Sequence, residues 1–255
     1  MVLGLDEFKH INDLYDRMFG DEVLRIITQR IQGLLSDQAS VYRLDGDEFG
    51  IIISGGDKED AVKLYDSIHT IMQSQQEYEG KKYYCTVSAG CASYPEDGNT
   101  CQDLFKYAAY SLESAKNNGK HRLELFSKSI LQHKERSLEL TELLRESVEH
   151  DFAGFAVHFQ PQVDAKTRCI VGAEALTRWS CAEFGPISPM EFIPLLEESG
   201  MIIPVGKWIF RQAVAACAQW SAISPGFTVS VNVSSIQLTD PDFGRPMPRR
   251  SCSGS

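Results

Sequence analysis

Two carboxylates lie directly behind a tight turn near the start of the chain. The stretch "YRLDGDEFGIII" (residues 42–53) places Asp47 and Glu48 after the dipeptide Asp45-Gly46, between two apolar runs. An Asp-Gly pair between β-rich runs favours a two-stranded hairpin. Two carboxylates at such a tip either face solvent without a function or hold a hard cation such as Mg²⁺. The pentapeptide by itself is compatible with both hypotheses.

A calcium-binding EF-hand loop is excluded for this stretch. Such a loop has oxygen ligands at alternating positions and a glutamate at its twelfth position. Counted from Asp45, the fifth residue is Phe49 and the twelfth is Gly56, and neither side chain carries an oxygen. The turn therefore lacks the ligands that calcium needs.

The overall charge and the cysteines narrow the class of protein. The 255 residues carry a formal net charge of −10, so nucleic acid and anionic membranes would both repel the chain. No apolar run approaches the ~18 residues that span a bilayer, and a signal-peptide pattern is absent from the N-terminus. The 7 cysteines lack CxxC spacing, which favours reduced thiols over zinc ligands or a disulfide framework. We expect a cytoplasmic protein with neither a membrane segment nor a nucleic-acid partner.

Hydrophobic periodicity predicts the elements that position the turn. Apolar residues at helical spacing favour amphipathic helices, and β-rich runs favour strands. The predicted helices are 21–36, 61–72 and 102–117, and the predicted strands are 41–44, 49–53, 83–91 and 121–126. Because helices and strands alternate, we expect an α/β sandwich over residues 1–127.

A charged helix at 128–150 is predicted to link this half to a second one. The second half is predicted to contain strands at 156–160, 169–176 and 228–233 and helices at 189–200 and 204–221. This βαβ rhythm is typical of a parallel sheet or a barrel. The last stretch, 244–255, has no periodicity, and we expect it to be disordered.

Residues 3–127 resemble the GGDEF domain, the diguanylate cyclase family that condenses two GTP molecules into cyclic di-GMP. The motifs, in one order, are "LDEFKHIND" (5–13), "FGDEVL" (19–24), "RLDGDEFGIII" (43–53), "SAGCASYPEDG" (88–98) and "SAKNNGKHR" (114–122). The resemblance implies an α/β sandwich of the nucleotide-cyclase type. It also implies GTP as a ligand, with Mg²⁺ or Mn²⁺ bridging the phosphates during an in-line displacement.

The resemblance implies roles for individual residues. Asp47 and Glu48 would be the catalytic and metal-binding carboxylates of the turn. The implied nucleotide-binding residues are Asn12 and Asp21 for guanine and Lys116 and Lys120 for the phosphates.

Several departures from the family pattern suggest a degenerate domain. The family begins its first motif with a metal-binding aspartate, where this chain has Gly4, and the first glycine of its signature is Asp45 here. Lys120 replaces the usual arginine. This replacement keeps the positive charge but loses the bidentate contact that arginine makes with phosphate. The family's product-inhibition motif, Arg-x-x-Asp, is absent at 36–39. We therefore expect this domain to retain guanine recognition and to have lost cyclase activity.

The second half resembles the start of an EAL domain, the cyclic di-GMP phosphodiesterase family. The matching stretches are "HFQPQVDAKTRCIVGAEALTRW" (158–179), "PMEFIPLLEESGMIIPVGKWIF" (189–210) and "VSVNVSSIQL" (229–238). Their family hydrolyses the phosphodiester with metal-activated water in a (β/α) barrel. The resemblance implies Glu174 as a catalytic residue and metal ligand, Asn232 as a metal ligand, Arg178 on a phosphate and Gln160 on a guanine. Each falls at or near the end of a predicted strand.

Together these features predict a fragment of a GGDEF–EAL signalling protein. We expect a degenerate GGDEF domain at 1–127 without its N-terminal helix, the linker helix at 128–150, and a truncated EAL barrel at 151–243. The chain on its own is expected to be inactive, whereas its parent, as a homodimer, would hydrolyse cyclic di-GMP. The first domain would then bind GTP as a regulatory module. The alternatives are a residual diguanylate cyclase and a dimerisation scaffold without catalysis.

Overall fold

The chain forms two compact units, each of which mixes helices and strands. The computed structural model describes residues 1–243, and the predicted disordered tail at 244–255 lies outside them. The first unit runs from Met1 to Lys134 and the second begins at Glu135. The predicted α/β class is confirmed. In the part of the chain that the structure describes, every helix is too short or too polar to cross a bilayer.

The first unit is a five-stranded sheet covered by helices. Its elements are β1 (Val2–Asp6), α1 (Phe8–Leu14), α2 (Arg17–Leu34), β2 (Ala39–Arg43), β3 (Glu48–Ile53), α3 (Lys58–Met72), β4 (Gln76–Tyr78), β5 (Lys81–Tyr83), β6 (Thr86–Cys91), α4 (Cys101–Asn117) and β7 (Leu123–Leu125). The strand order is β2-β3-β1-β6-β7, so β1 is central. It pairs antiparallel with both β3 and β6, and β6 pairs parallel with β7.

Strand β1 is buried along its whole length because helices cover both faces of the sheet. Leu3 and Leu5 pack into the main core with residues of α2 and α3. Val2 packs with Leu112 of α4 on the opposite face. Alternation along the strand therefore places Gly4 on the α4 face, as its proximity to Leu112 shows.

The predicted hairpin around Asp45-Gly46 is confirmed. Strands β2 and β3 pair antiparallel, and Glu48 donates its N–H to the carbonyl of Asp45 at 2.8 Å. Gly46 supplies the left-handed residue of the turn, with φ of +50°. Since glycine adopts that conformation readily, Asp45 is left in ordinary backbone geometry.

The predicted strand 83–91 divides into two strands that belong to different sheets. Strand β5 pairs with β4 in a separate hairpin, whereas β6 joins the main sheet beside β1. Two consecutive left-handed residues, Glu79 and Gly80 (φ 49° and 73°), connect β4 to β5. Such a connection matches the twist of a tight hairpin. Hydrophobic periodicity also missed β1, α1 and β4.

The second unit is built around one long strand. Its elements are the C-terminal part of α5 (Lys128–Glu149), β8 (Phe155–Val163), β9 (Ile170–Cys181), β10 (Gly185–Ile187), α6 (Pro189–Glu198), α7 (Ile202–Ile223), β11 (Thr228–Val231) and a 3₁₀ helix (Ser235–Thr239). Strand β9 pairs antiparallel with β8 and β10 and parallel with β11. Among the described strands of the second unit, the parallel pairing that the βαβ rhythm predicts is thus confined to β9 and β11. Helices α6 and α7 separate these two strands along the chain.

Trp179 on β9 forms the centre of the core of the second unit. Its side chain is 1% exposed and packs with Phe192 of α6 and with Leu140 and Leu144 of α5. The indole Nε1–H donates to the hydroxyl of Ser147 at 3.1 Å. This hydrogen bond satisfies the one polar group of the buried ring.

The cysteines that the structure describes are all free thiols.

We predict that Gly90→Ala destabilises the first unit by about 1–3 kcal/mol. A Cβ on Gly90 would lie 2.1 Å from the carbonyl oxygen of Ala108 and 2.2 Å from the backbone nitrogen of Leu112. Helix α4 would have to move away from β6 because both obstacles are backbone atoms. Urea denaturation followed by circular dichroism measures the loss.

The control for this variant is Gly33→Ala in α2, where a Cβ meets nothing within 4 Å. Alanine is the better helix former, so this variant should keep or slightly raise the free energy of unfolding. Equal free energies of unfolding for the two variants would show that α4 does not pack closely against β6 at Gly90.

Candidate functional site

A cavity of about 430 Å³ opens beside the carboxyl end of β1 in the first unit. Its volume lies within the range of small-molecule sites, roughly 300–1,000 Å³. The lining residues are Leu5, Asp6, Glu7, Phe8, Lys9, Asn12, Arg17, Asp21, Leu24, Arg43, Gly46, Asp47, Lys116 and Lys120. Five residues predicted from the sequence are among them: Asn12, Asp21, Asp47, Lys116 and Lys120. The sixth, Glu48, contacts one of these lysines.

Helices α1 and α2 supply the polar groups at one side of the cavity. Asn12 lies on α1 and Asp21 lies on α2. Asp16 caps the start of α2, because its side chain accepts a hydrogen bond from the N–H of Phe19 at 2.8 Å. The side-chain Oδ1 of Asn12 is buried and has no hydrogen-bond partner. A buried acceptor left unpaired costs about 1–3 kcal/mol, and this oxygen packs against Gly20, where an added Cβ would lie 1.9 Å from it.

The cavity lining also includes two lysines, each of which is paired with a glutamate. The Nζ of Lys116 lies 3.2 Å from Oε1 of Glu48, and the Nζ of Lys120 lies 2.9 Å from Oε1 of Glu7. All four side chains are at least partly exposed. Exposed ion pairs contribute about 0–1 kcal/mol, so both lysines can exchange their glutamate for the phosphate of a ligand at little cost.

Asp6 holds together the elements that surround the lysines. Its buried carboxylate accepts hydrogen bonds from the hydroxyls of Thr86 and Ser88 at 2.8 and 2.7 Å. It also accepts from the backbone N–H of His121 at 3.3 Å. The end of β1 is thereby joined to β6 and to the turn that carries Lys120.

Sequence analysis missed Asp6 and Glu7 as parts of this site. Both belong to "LDEFKHIND", the motif that identified Asn12, so the signal was present. It also missed Arg43, which donates from Nε and Nη2 to the carbonyl of Gly46 at 3.2 and 3.0 Å and so braces the turn.

The pKa of the Glu7 carboxyl is lowered from its usual range. The main cause is the hydrogen bond from Lys120, followed by the charge of that ammonium group. Outside the cavity lining, burial raises the pKa of the Cys85 thiol to about 12, and the negative charges of Asp6 and Asp47 add to this. A raised pKa favours the protonated thiol, which is a poor nucleophile.

In the second unit, Glu174 and Asn232 lie in contact. The side-chain Nδ2 of Asn232 donates to Oε1 of Glu174 at 2.8 Å. The strand register places Gln160 opposite Glu174 on the other side, since β8 and β11 flank β9 at this point. Arg178 donates from Nη1 to the carbonyl of Thr177 at 2.9 Å. Three of the four predicted residues are thus adjacent on the sheet.

The sequence placed these residues at or near strand ends, and the structure places three of them inside strands. Gln160 lies within β8, and Glu174 and Arg178 lie within β9, which continues to Cys181. The sequence pattern ended β9 too early because the long antiparallel ladder with β8, and then β10, carries it further. Only Asn232 follows a strand end, directly after β11.

Comparison with known proteins assigns each half to a family model. Residues 1–122 match the model "Diguanylate cyclase, GGDEF domain", and residues 141–251 match the model "EAL domain". The chain is 31% identical over 241 residues to the bifunctional diguanylate cyclase/cyclic di-GMP phosphodiesterase MucR of Pseudomonas aeruginosa, covering 93% of this chain and 35% of MucR. It is 31% identical to the cyclic di-GMP phosphodiesterase PdeR of Escherichia coli, covering 94% of this chain and 36% of PdeR. The chain thus spans about a third of the length of these curated relatives.

Among solved structures, the GGDEF domain of YfiN from Pseudomonas aeruginosa is similar to the first half. It is 31% identical, covers 49% of this chain and 80% of that chain, and has a TM-score of 0.48.

We predict that Lys120→Met raises the pKa of Glu7 toward its ordinary value. The ammonium group stabilises the ionised carboxylate, so its removal favours the protonated form. The carboxyl ¹³C shift of Glu7, followed by NMR across the acid range, measures this change. Lys9→Met, which removes a different lysine of the cavity lining, is the control and should leave the titration of Glu7 unchanged. An unaltered titration in Lys120→Met would mean that the pair does not persist in solution.

Proposed function

Because this chain belongs to the proteins that join a GGDEF domain to an EAL domain, we propose that it works in cyclic di-GMP signalling, with its first unit as a GTP-binding regulatory module. We also propose domain limits of 1–127 and 151–243 with α5 as the linker; the matches to residues 1–122 and 141–251 support the order of the two domains, and the second match begins within α5. The names of MucR and PdeR, which refer to cyclic di-GMP, support the same proposal.

The observation that carries GTP binding is that Asn12 and Asp21 line the same cavity. Asn12 has a side-chain amide, and the carboxylate of Asp21 only accepts hydrogen bonds. Guanine offers two neighbouring donors, its N1–H and its 2-amino group, along one edge. Adenine offers a donor beside an acceptor on the corresponding edge, so it would leave one acceptor of the pair unsatisfied. A cavity lined by the Asn12 amide and the Asp21 carboxylate would therefore favour guanine.

The rest of the cavity favours phosphate binding over turnover. Lys116 and Lys120 supply positive charge within the cavity, and Lys9, Arg17 and Arg43 add to it. Gly4 offers no ligand at the position where the family has a metal-binding aspartate. Asp45 adds a negative charge to the turn where the family has glycine. A bound nucleotide would therefore be held without being converted to cyclic di-GMP.

For the second unit, we propose the recognition and, in the whole protein, the hydrolysis of cyclic di-GMP. EAL domains generally depend on Mg²⁺ or Mn²⁺. The residues fit a weak magnesium site, since Mg²⁺ is often held by one or two carboxylates together with water and phosphate. Glu174 and Asn232 would supply two oxygens, and the metal would activate water for attack on the phosphodiester. Gln160 would contact a guanine and Arg178 a phosphate.

We predict that the chain binds GTP with a dissociation constant on the order of tens of micromolar or weaker, and ATP more weakly still. Asp21→Ala should remove the preference for GTP because the carboxylate that distinguishes guanine is lost. Isothermal titration calorimetry measures the affinities of the unmodified chain and of Asp21→Ala for GTP and for ATP. Asp13→Ala changes an exposed carboxylate of α1 outside the cavity lining and should keep the preference.

Equal affinity of the unmodified chain for GTP and ATP would exclude the GTP sensor and favour the dimerisation scaffold. Chromatography of GTP and Mg²⁺ incubated with the chain distinguishes the residual cyclase. Cyclic di-GMP above the level made by Glu48→Ala would establish that alternative.

We predict that cyclic di-GMP binds to the second unit in the presence of Mn²⁺ and that Glu174→Ala weakens it at least tenfold. The carboxylate is the strongest metal ligand of the proposed set, so its loss removes the bridge to the phosphate. Microscale thermophoresis measures the affinity, with Glu183→Ala, an exposed carboxylate, as the control. Unchanged binding by Glu174→Ala would place the ligand elsewhere.

A further inference from the structure

The side chain of Lys116 lies over Gly4, where another residue would have its own side chain. A Cβ built on Gly4 would be 2.8 Å from Nζ of Lys116 and 3.0 Å from its Cε. Gly4 pairs with Glu48 across β1 and β3, and the ammonium group reaches Oε1 of Glu48 at 3.2 Å. The lysine therefore occupies the space beside the glutamate that glycine leaves open.

Two of the carboxylates around this position are held by other protein groups and do not fit a divalent cation. Mg²⁺ needs about six oxygens at roughly 2.0–2.1 Å. One carboxylate of the set, Glu48, already contacts an ammonium group. Another, Asp6, is engaged by Thr86, Ser88 and the N–H of His121. Within residues 1–243, groups of three or more His, Cys, Asp or Glu side chains that could hold a metal are absent.

We propose that the ammonium group of Lys116 is the resident cation of this cavity and that a guanine nucleotide binds here as the free anion, without Mg²⁺. This inference rests on the proposed function of the first unit and specifies the form of its ligand. A metal ion beside Glu48 would lie close to the ammonium group of Lys116, and the two positive charges would repel each other. A nucleotide without metal exposes its full phosphate charge to Lys116 and Lys120. A phosphate oxygen can then take the place of Glu48 beside Lys116.

The first test compares GTP affinity in excess EDTA with GTP affinity in excess Mg²⁺, by calorimetry on the full chain. Equal or tighter binding in EDTA is expected. Lys116→Met should lower the affinity in EDTA about tenfold or more, whereas Lys116→Arg should retain most of it because the charge remains. Lys106→Met removes a lysine of the same helix that does not line the cavity and should have no effect.

The second test measures Mn²⁺ binding by electron paramagnetic resonance without nucleotide. The unmodified chain and Glu48→Gln should bind Mn²⁺ equally. The double variant with Gly4→Asp and Lys116→Met should acquire an additional Mn²⁺ site, because it gains a carboxylate beside Glu48 and loses the competing ammonium group. Circular dichroism of each variant checks that it is folded.

The outcomes separate this inference from the proposed function. GTP binding that requires Mg²⁺, or a Mn²⁺ site in the unmodified chain that is lost in Glu48→Gln, would overturn the metal-free site and leave the GTP sensor standing. Absence of GTP binding under both conditions would overturn both.

Discussion

The burial of strand β1 on both faces is the constraint on which the first unit depends. All five of its residues are buried and the strand lies between β3 and β6, so each side chain must be accommodated by the layer that covers its face of the sheet. Leu3 and Leu5 pack into the main core. Gly4 faces α4, and Asp6, at the end of the strand, has three hydrogen-bond donors around it. A buried carboxylate requires such partners, because an unpaired charge in the interior is costly.

The cavity is formed where this buried strand gives way to polar segments. Glu7, which follows β1, adopts a left-handed backbone (φ 57°) and begins α1. The turn after α4 returns through Lys120 and His121, also left-handed, and is attached to Asp6. Groups from β1, α1, α2, the β2–β3 turn and α4 therefore meet at one opening. The packed core fixes the walls, whereas the partly exposed ion pairs between lysines and glutamates leave its charged groups available to a ligand.

In the second unit, the pairing of one long strand positions the candidate site. Strand β9 is long enough to pair with β8 along one edge and with β11 and β10 along the other. Register alone then brings Gln160 and Ser230 to either side of Glu174, and Asn232 follows at the end of β11. Trp179, further along β9, anchors the same strand in the core through Phe192 and Ser147. The polar site and the hydrophobic core therefore share one strand.

The sequence by itself determined the features that depend on local spacing. The helices with clear apolar periodicity correspond to α2, α3 and α4, and the Asp-Gly dipeptide correctly indicated the β2–β3 hairpin. Five of the residues that the motifs indicated line one cavity. Tertiary structure decided the rest. Strand β1 has no alternating pattern because both its faces are buried, and β9 extends past its predicted end because its neighbours continue the ladder. The position of Lys116 over Gly4 depends on how α4 packs against β1, and the hydrogen bonds of Asp6 come from β6 and a distant turn. Sequence spacing does not contain such contacts, because they form between segments that meet only when the sheet and helices pack together.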